Sequence, residues 1–152
     1  MKRILFFLFS CFVVISSLQA SPQVEENYQF KGKHFVASYL DCNDRAIRNV
    51  EELKIAFIKA AEASHATIIG ESDYVFAPDG LTMVVLLSES HASIHTYPEH
   101  HACFVDLFTC GDKCSSESFD NVLREFLKPG KVNACELLRS DEIKMADGRP
   151  VP

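Results

Sequence analysis

The sequence predicts an α+β domain, a two-layer sandwich of a largely antiparallel sheet with two helices on one face. Short apolar or alternating runs, bounded by turn residues, recur at strand length. Two other stretches keep helical spacing, and most strands are grouped between them instead of alternating with helices. Size agrees: 152 residues, 47% of them hydrophobic, suffice for one cored domain but not for two.

His34 to Leu40 reads as the first strand. From Asn49 the spacing turns helical, with Val50, Leu53, Phe57 and Ala60 or Ala61 on one face. Asn49 with Glu52 three places on resembles a capping box. Thr67 to Ile69 opens a second strand that runs on toward Phe76. Ala77-Pro-Asp-Gly80 is a turn, and Leu81 to Leu87 is a third strand, apolar enough to be buried. Ser90 to Tyr97 alternates and is extended; Pro98 to His101 turns the chain back into a strand from Cys103 to Cys110. Ser115 or Ser116 caps the second helix, whose apolar face is Phe119, Val122, Leu123 and Phe126. Pro129-Gly130 ends it, and Val132 to Leu138 is the last strand. Residues 140–152 show no pattern and read as a loose tail.

Residues 1–20 are of another kind. Lys2 and Arg3 precede an apolar run from Ile4 to Val14 that thins toward Ala20. That is the pattern of an export signal peptide or, left uncleaved, of an N-terminal anchor. The run is short of the ~20 apolar residues a spanning helix needs. Leu18 fits poorly as the small residue before a cleavage site, and a misassigned start is a further reading. Residues 21–31 are polar and read as a tether to a domain over 32–139. Asp and Glu outnumber Lys and Arg, 21 to 15, with no basic patch, which argues against a nucleic-acid partner. Membrane contact is expected only through the leader. Losing the leader would take Cys11 from the six cysteines, and the odd remainder does not suit a fully paired disulfide framework.

The chemistry concentrates between Phe76 and Cys110. Leu86 to Glu99 places three serines and two histidines on predicted strand, where polar side chains need partners. Leu87-Ser-Glu-Ser-His91, Ile94-His-Thr-Tyr-Pro-Glu99 and Asp106-Leu-Phe-Thr-Cys-Gly111 together resemble the signature of bacterial S-adenosylmethionine decarboxylase proenzymes. The resemblance runs from about Gly32 to about Leu138.

The resemblance implies a self-cleaving chain. Ser90 would attack the carbonyl of Glu89, convert the amide to an ester, and lose it by β-elimination. Residue 90 is left as a dehydroalanine, which water hydrolyses with release of ammonia to a pyruvoyl group, a covalent cofactor that forms a Schiff base with the substrate and serves as electron sink. The products would be a β chain ending at Glu89 and an α chain starting at residue 90. The implied reaction is decarboxylation of S-adenosylmethionine, which supplies the aminopropyl donor for spermidine synthesis. No lysine lies between Lys59 and Lys113, so no pyridoxal phosphate lysine stands in this segment.

The same resemblance assigns supporting roles. His95 is expected to move the proton in β-elimination, and Cys110 to return a proton to the substrate's α-carbon. Thr82 stands where a processing serine is usual. Phe76 would stack on adenine and Glu99 would bind the ribose hydroxyls. Tyr97 replaces the usual tryptophan, and His100-His101 the usual Tyr-Gly, so the hairpin beside Glu99 is altered. Pyruvoyl-dependent arginine or ornithine decarboxylation is therefore the alternative activity.

Residues five apart on a straight strand face opposite sides, so Ser90 and His95 of one chain should not meet. Single-domain members of the family are dimers with shared sites, which implies a homodimer of processed chains, a larger αββα assembly in which His95 serves the partner's Ser90. A rival from another class is a metal protein using His95, His100, His101, Cys103, Cys110 and Cys114, but the set lacks paired Cys-x2-Cys units, and no metal is expected. Location stays open. The leader implies export or anchoring, the substrate implies the cytoplasm, and a Cys110–Cys114 disulfide in an exported chain would consume the catalytic thiol.

Overall fold

The structure, a computed structural model, describes residues 30–110 and 112–151. The expected leader, and the tether up to residue 29, lie outside the described residues. Among the described residues no helix is long and apolar enough to cross a membrane.

Seven strands form one antiparallel sheet: β1 (Gly32–Leu40), β2 (Ile68–Phe76), β3 (Gly80–Leu87), β4 (Ser90–Tyr97), β5 (Ala102–Thr109), β6 (Lys131–Arg139) and β7 (Ile143–Met145). Their spatial order is β2-β3-β4-β5-β1-β6-β7. Two helices, α1 (Asp44–Arg48) and α2 (Val50–Ala63), join β1 to β2, and α3 (Ser116–Leu127) joins β5 to β6. The α+β class with helices packed on an antiparallel sheet is as the sequence predicts.

Alternation decides which face of each strand is covered. Phe35, Ala37 and Tyr39 of β1, Met83 and Val85 of β3, and Val105 and Leu107 of β5 are buried. They meet Leu53 and Phe57 of α2 and Phe119, Leu123 and Leu127 of α3 in one core. Phe57 and Phe119 cross edge-on, ring centroids 5.7 Å apart. The opposite parity, including Val84, Leu86 and Phe104, is left exposed on the sheet's other face.

Three local expectations change. A short helix, α1, precedes the predicted one; five residues are too few to show an apolar period, and the Asn43 side chain caps it. Asn49 links the two helices: its side chain accepts from the Glu52 amide at 3.3 Å, while its own amide donates to Arg45 O at 3.1 Å. Only half of the expected capping box forms. The tail is not wholly loose, because β7 pairs with β6 at Leu137–Met145 through Arg139–Ile143. Backbone pairing along an open sheet edge needs no apolar pattern.

Candidate active site

β3 ends at Leu87 and β4 begins at Ser90, and these two residues pair directly. Ser88-Glu89 is thus a two-residue hairpin loop with the expected cleavage bond at its exit. The tip is tied to the start of β2. Ser88 N–H donates to Thr67 O at 2.9 Å, and Thr67 returns its amide to Glu89 Oε2 at 2.9 Å and its hydroxyl to Oε1 at 3.2 Å. Burial alone would raise the Glu89 carboxyl pKa. Hydrogen bonds from Thr67 and Ser88 and from its own amide outweigh that and hold it below the usual value.

The Glu89 carbonyl oxygen accepts a hydrogen bond from Cys110 N–H at 3.1 Å. Ser90 pairs with Thr109 across β4 and β5, which brings Cys110 to the hairpin. Ser90, the Glu89 carbonyl and Cys110 therefore converge at one end of the sheet. The Cys110 residue borders a cleft of about 540 Å³ lined also by Lys31, Thr109 and Arg139. The five described cysteines are all free thiols, Cys110 and Cys114 included.

Thr82, His95 and Phe76 gather at the other end. Thr82 and His95 are register partners, and the Thr82 hydroxyl is hydrogen-bonded to His95 Nδ1. The His95 ring lies between Phe76, at 5.8 Å, and Tyr97, at 4.7 Å. Phe76 is half exposed, and Glu99 is exposed in the 3-10 turn after β4. Ser90 and His95 are separated by about 16 Å of strand. By count Ser90 shares the parity of the buried Ala92 and Ile94, but at the first position of the strand its hydroxyl meets His91 of the open face, on which His95 also lies further along the strand. One chain does not bring them together.

Two residues that carried no assigned role also meet the serine's surroundings. Ser90 Oγ lies 3.1 Å from His91 Nδ1, and His91 Nε2 lies 3.5 Å from Asp106 Oδ2. The Ser93 hydroxyl donates to the other Asp106 oxygen. His91 and Asp106 both stand inside the recognised motifs, but their contact depends on the pairing of β4 with β5.

The His/Cys set considered for a metal is dispersed. Cys103 is fully buried on the helix side, His95 faces the open side, and His100 and His101 sit on the turn. Among the described residues no three His, Cys, Asp or Glu side chains are placed so that they could hold a metal ion.

A family model described as S-adenosylmethionine decarboxylase matches residues 33–140. The chain belongs to that family. It is 39% identical over 121 residues to the S-adenosylmethionine decarboxylase proenzyme of Thermosipho melanesiensis, covering 78% of this chain and 93% of that one. The proenzyme of Methanococcus aeolicus is 34% identical over 113 residues, covering 74% and 97%. The crystal structure of the Aquifex aeolicus adenosylmethionine decarboxylase superposes with a TM-score of 0.64 at 29% identity, covering 82% and 94%. Against the decarboxylase pattern, the His100-His101 substitution now has a visible consequence. His101 has φ 47°, a left-handed conformation that glycine adopts freely and histidine does not.

Proposed function

We propose that this chain is a self-cleaving S-adenosylmethionine decarboxylase proenzyme, cut between Glu89 and Ser90 and supplying decarboxylated S-adenosylmethionine for spermidine synthesis. The observation that carries the cleavage site is the Glu89 carbonyl, held by the Cys110 amide at 3.1 Å next to the Ser90 hydroxyl. A fixed N–H donor at that oxygen stabilises negative charge as Ser90 Oγ adds to the carbonyl carbon. The two-residue loop exposes the bond, and Thr67 keeps the loop from swinging. These residues fit a pyruvoyl group made from Ser90.

In the second step His95 takes the Cα proton of residue 90, and the Glu89 carboxylate leaves. Thr82 fixes the His95 ring by bonding its Nδ1 and leaves Nε2 to carry the proton. The pyruvoyl group supplies an electrophilic carbonyl that withdraws electrons from the substrate's α-carbon as carbon dioxide departs. The Cys110 thiol returns a proton to that carbon. Phe76 stacks on the adenine, and Glu99 accepts hydrogen bonds from the ribose hydroxyls.

The separation of Ser90 from His95 calls for two chains. In a two-fold dimer packed through the open sheet faces, each cleavage end lies over the other chain's recognition end. Val84, Leu86 and Phe104, exposed in the single chain, would be covered. The partner's His95 then reaches this chain's residue 90.

The deciding experiment is intact mass of the purified protein with and without Ser90→Ala. Two fragments dividing at Glu89, the second with a pyruvoyl terminus, are expected from the native sequence, and one uncut chain from the variant. A folded, dimeric and uncut native chain would overturn the reading. Tyr97 and His100-His101 beside Glu99 favour a substrate screen that includes arginine and ornithine; turnover of either in preference to S-adenosylmethionine would replace the substrate while keeping the cleavage.

A further inference from the structure

We propose that His91, oriented by Asp106, is the base that activates Ser90 for the first step of self-cleavage, within one chain. This rests on the cleavage reading above and deepens it. His95 of the same chain is ill placed for that step: it stands about 16 Å further along β4 and is engaged by Thr82. His91 is the imidazole whose nitrogen lies 3.1 Å from Ser90 Oγ.

Asp106 settles the tautomer. Its Oδ2 faces His91 Nε2 at 3.5 Å, which keeps the ring proton on Nε2 and leaves the Nδ1 lone pair for the serine. Asp106 is itself held. Ser93 donates to Oδ1, and His34 Nε2 lies 3.7 Å from Oδ2. The His34 Nδ1 in turn lies 3.3 Å from an Arg139 guanidinium nitrogen, and that guanidinium covers the Phe108 ring at 4.4 Å from its centroid. The Phe108 ring stands beside both histidines, with centroids 5.4 Å from His34 and 6.0 Å from His91. Serine, histidine and aspartate thus form a relay on two adjacent strands, β4 and β5, braced by His34 of β1 and Arg139 of β6.

The step balances without a further reactant. The Ser90 Oγ–H bond breaks and its proton passes to His91 Nδ1, while Oγ bonds to the Glu89 carbonyl carbon. The oxyanion accepts from Cys110 N–H. As the C–N bond breaks, the proton on His91 moves to the departing nitrogen of residue 90. The product is the ester, with His91 neutral again and the α-carbon proton untouched. That proton is the task left to His95, so the two histidines act in sequence on different bonds.

Hydroxylamine separates the two steps, because it cuts an ester and leaves an amide intact. His91→Ala should give an uncut chain that hydroxylamine does not cleave, with cleavage at least ~100-fold slower than native. Added imidazole should restore part of the rate. His95→Ala should instead collect an ester that hydroxylamine does cut at residue 90. His91→Gln keeps a donor toward Asp106 and lacks a base at Nδ1; it guards against misfolding of the alanine variant and should be equally slow. Asp106 is a positioning residue, so Asp106→Asn should slow cleavage ~10-fold and move its pH profile, with Asp106→Glu recovering part of the loss. Native-like cleavage in a folded His91→Gln chain, or a hydroxylamine-labile ester in it, would overturn the inference while leaving the enzyme assignment standing. Failure of the native chain to cleave would remove the assignment itself.

Discussion

The two ends of strand β4 differ in what one chain supplies. At its start, Ser90, the Glu89 carbonyl and Cys110 are already within hydrogen-bonding reach of their partners. At its finish, His95 is fixed between Phe76 and Tyr97 with nothing to act on, about 16 Å from the serine. On the proposed function the first end breaks the peptide bond and the second holds the flat adenine. About 16 Å of strand lies between the two, and neither can be brought to the other within one chain without losing the sheet register. The difference teaches that the two ends of one hairpin are separate within a single chain, and the proposed function has a second chain join them.

The strongest test of that division uses both ends at once. Ser90→Ala alone should abolish cleavage, and His95→Ala alone should prevent its completion. Co-expressed, the two variants should recover cut chain and decarboxylase activity, because each mixed dimer holds one intact site. No recovery in a demonstrated mixed dimer would place both residues in one chain's site.

Next in size, Phe76→Ala should lower kcat/KM about 10- to 100-fold, the loss of an aromatic stacking surface, while cleavage proceeds at the native rate. Slowed cleavage in this variant would mean that the ends are coupled. Thr67→Val removes one hydrogen bond to Glu89, worth about 1 kcal/mol, and should slow cleavage several-fold without changing substrate affinity.

The smaller effects concern stability. His101→Gly should raise it by about 1 kcal/mol in thermal or urea unfolding, since it relieves the left-handed backbone at φ 47°. The exposed His101–Asp44 pair lost in exchange contributes little. His34 gives a pH signature. Burial, the largest influence, and the neighbouring Arg139 outweigh Asp106 and lower its pKa from the ordinary 6.5. The unfolded chain therefore binds its proton first as pH falls, so stability is lost as pH drops from about 6.5 through the lowered value and is unaffected above it. His34→Gln should flatten that part of the pH–stability curve.

Much of the fold was legible because apolar spacing reports burial directly. The Phe119–Leu123 face of α3 was placed by period and lies in the core. Leu81 to Leu87, read as buried from its apolar run, buries Leu81, Met83, Val85 and Leu87 but leaves Val84 and Leu86 exposed, because the helices cover one face of the sheet only. α1 and β7 were not legible: one is held by Asn43 and Asn49 and the other by backbone pairing, and neither leaves an apolar period. In the site, the motif residues stood out by their density of hydroxyl and imidazole groups. Asp106 was quoted in a motif without a role, because a carboxylate facing His91 and Ser93 is visible only once β4 and β5 are in register.

By itself the sequence determined the α+β class and the apolar faces of the two longer helices, and through its motifs the family whose members point to Glu89-Ser90 as the expected cleavage bond. Those are properties of local pattern, and period and motif survive in one dimension. Only the tertiary structure decided that Cys110 brings its amide to the Glu89 carbonyl, that Thr82 holds His95, and that Asp106 faces the His91 beside the serine. Each depends on the pairing of neighbouring strands, and the register that joins strands is set by the packing of the whole sheet against its helices.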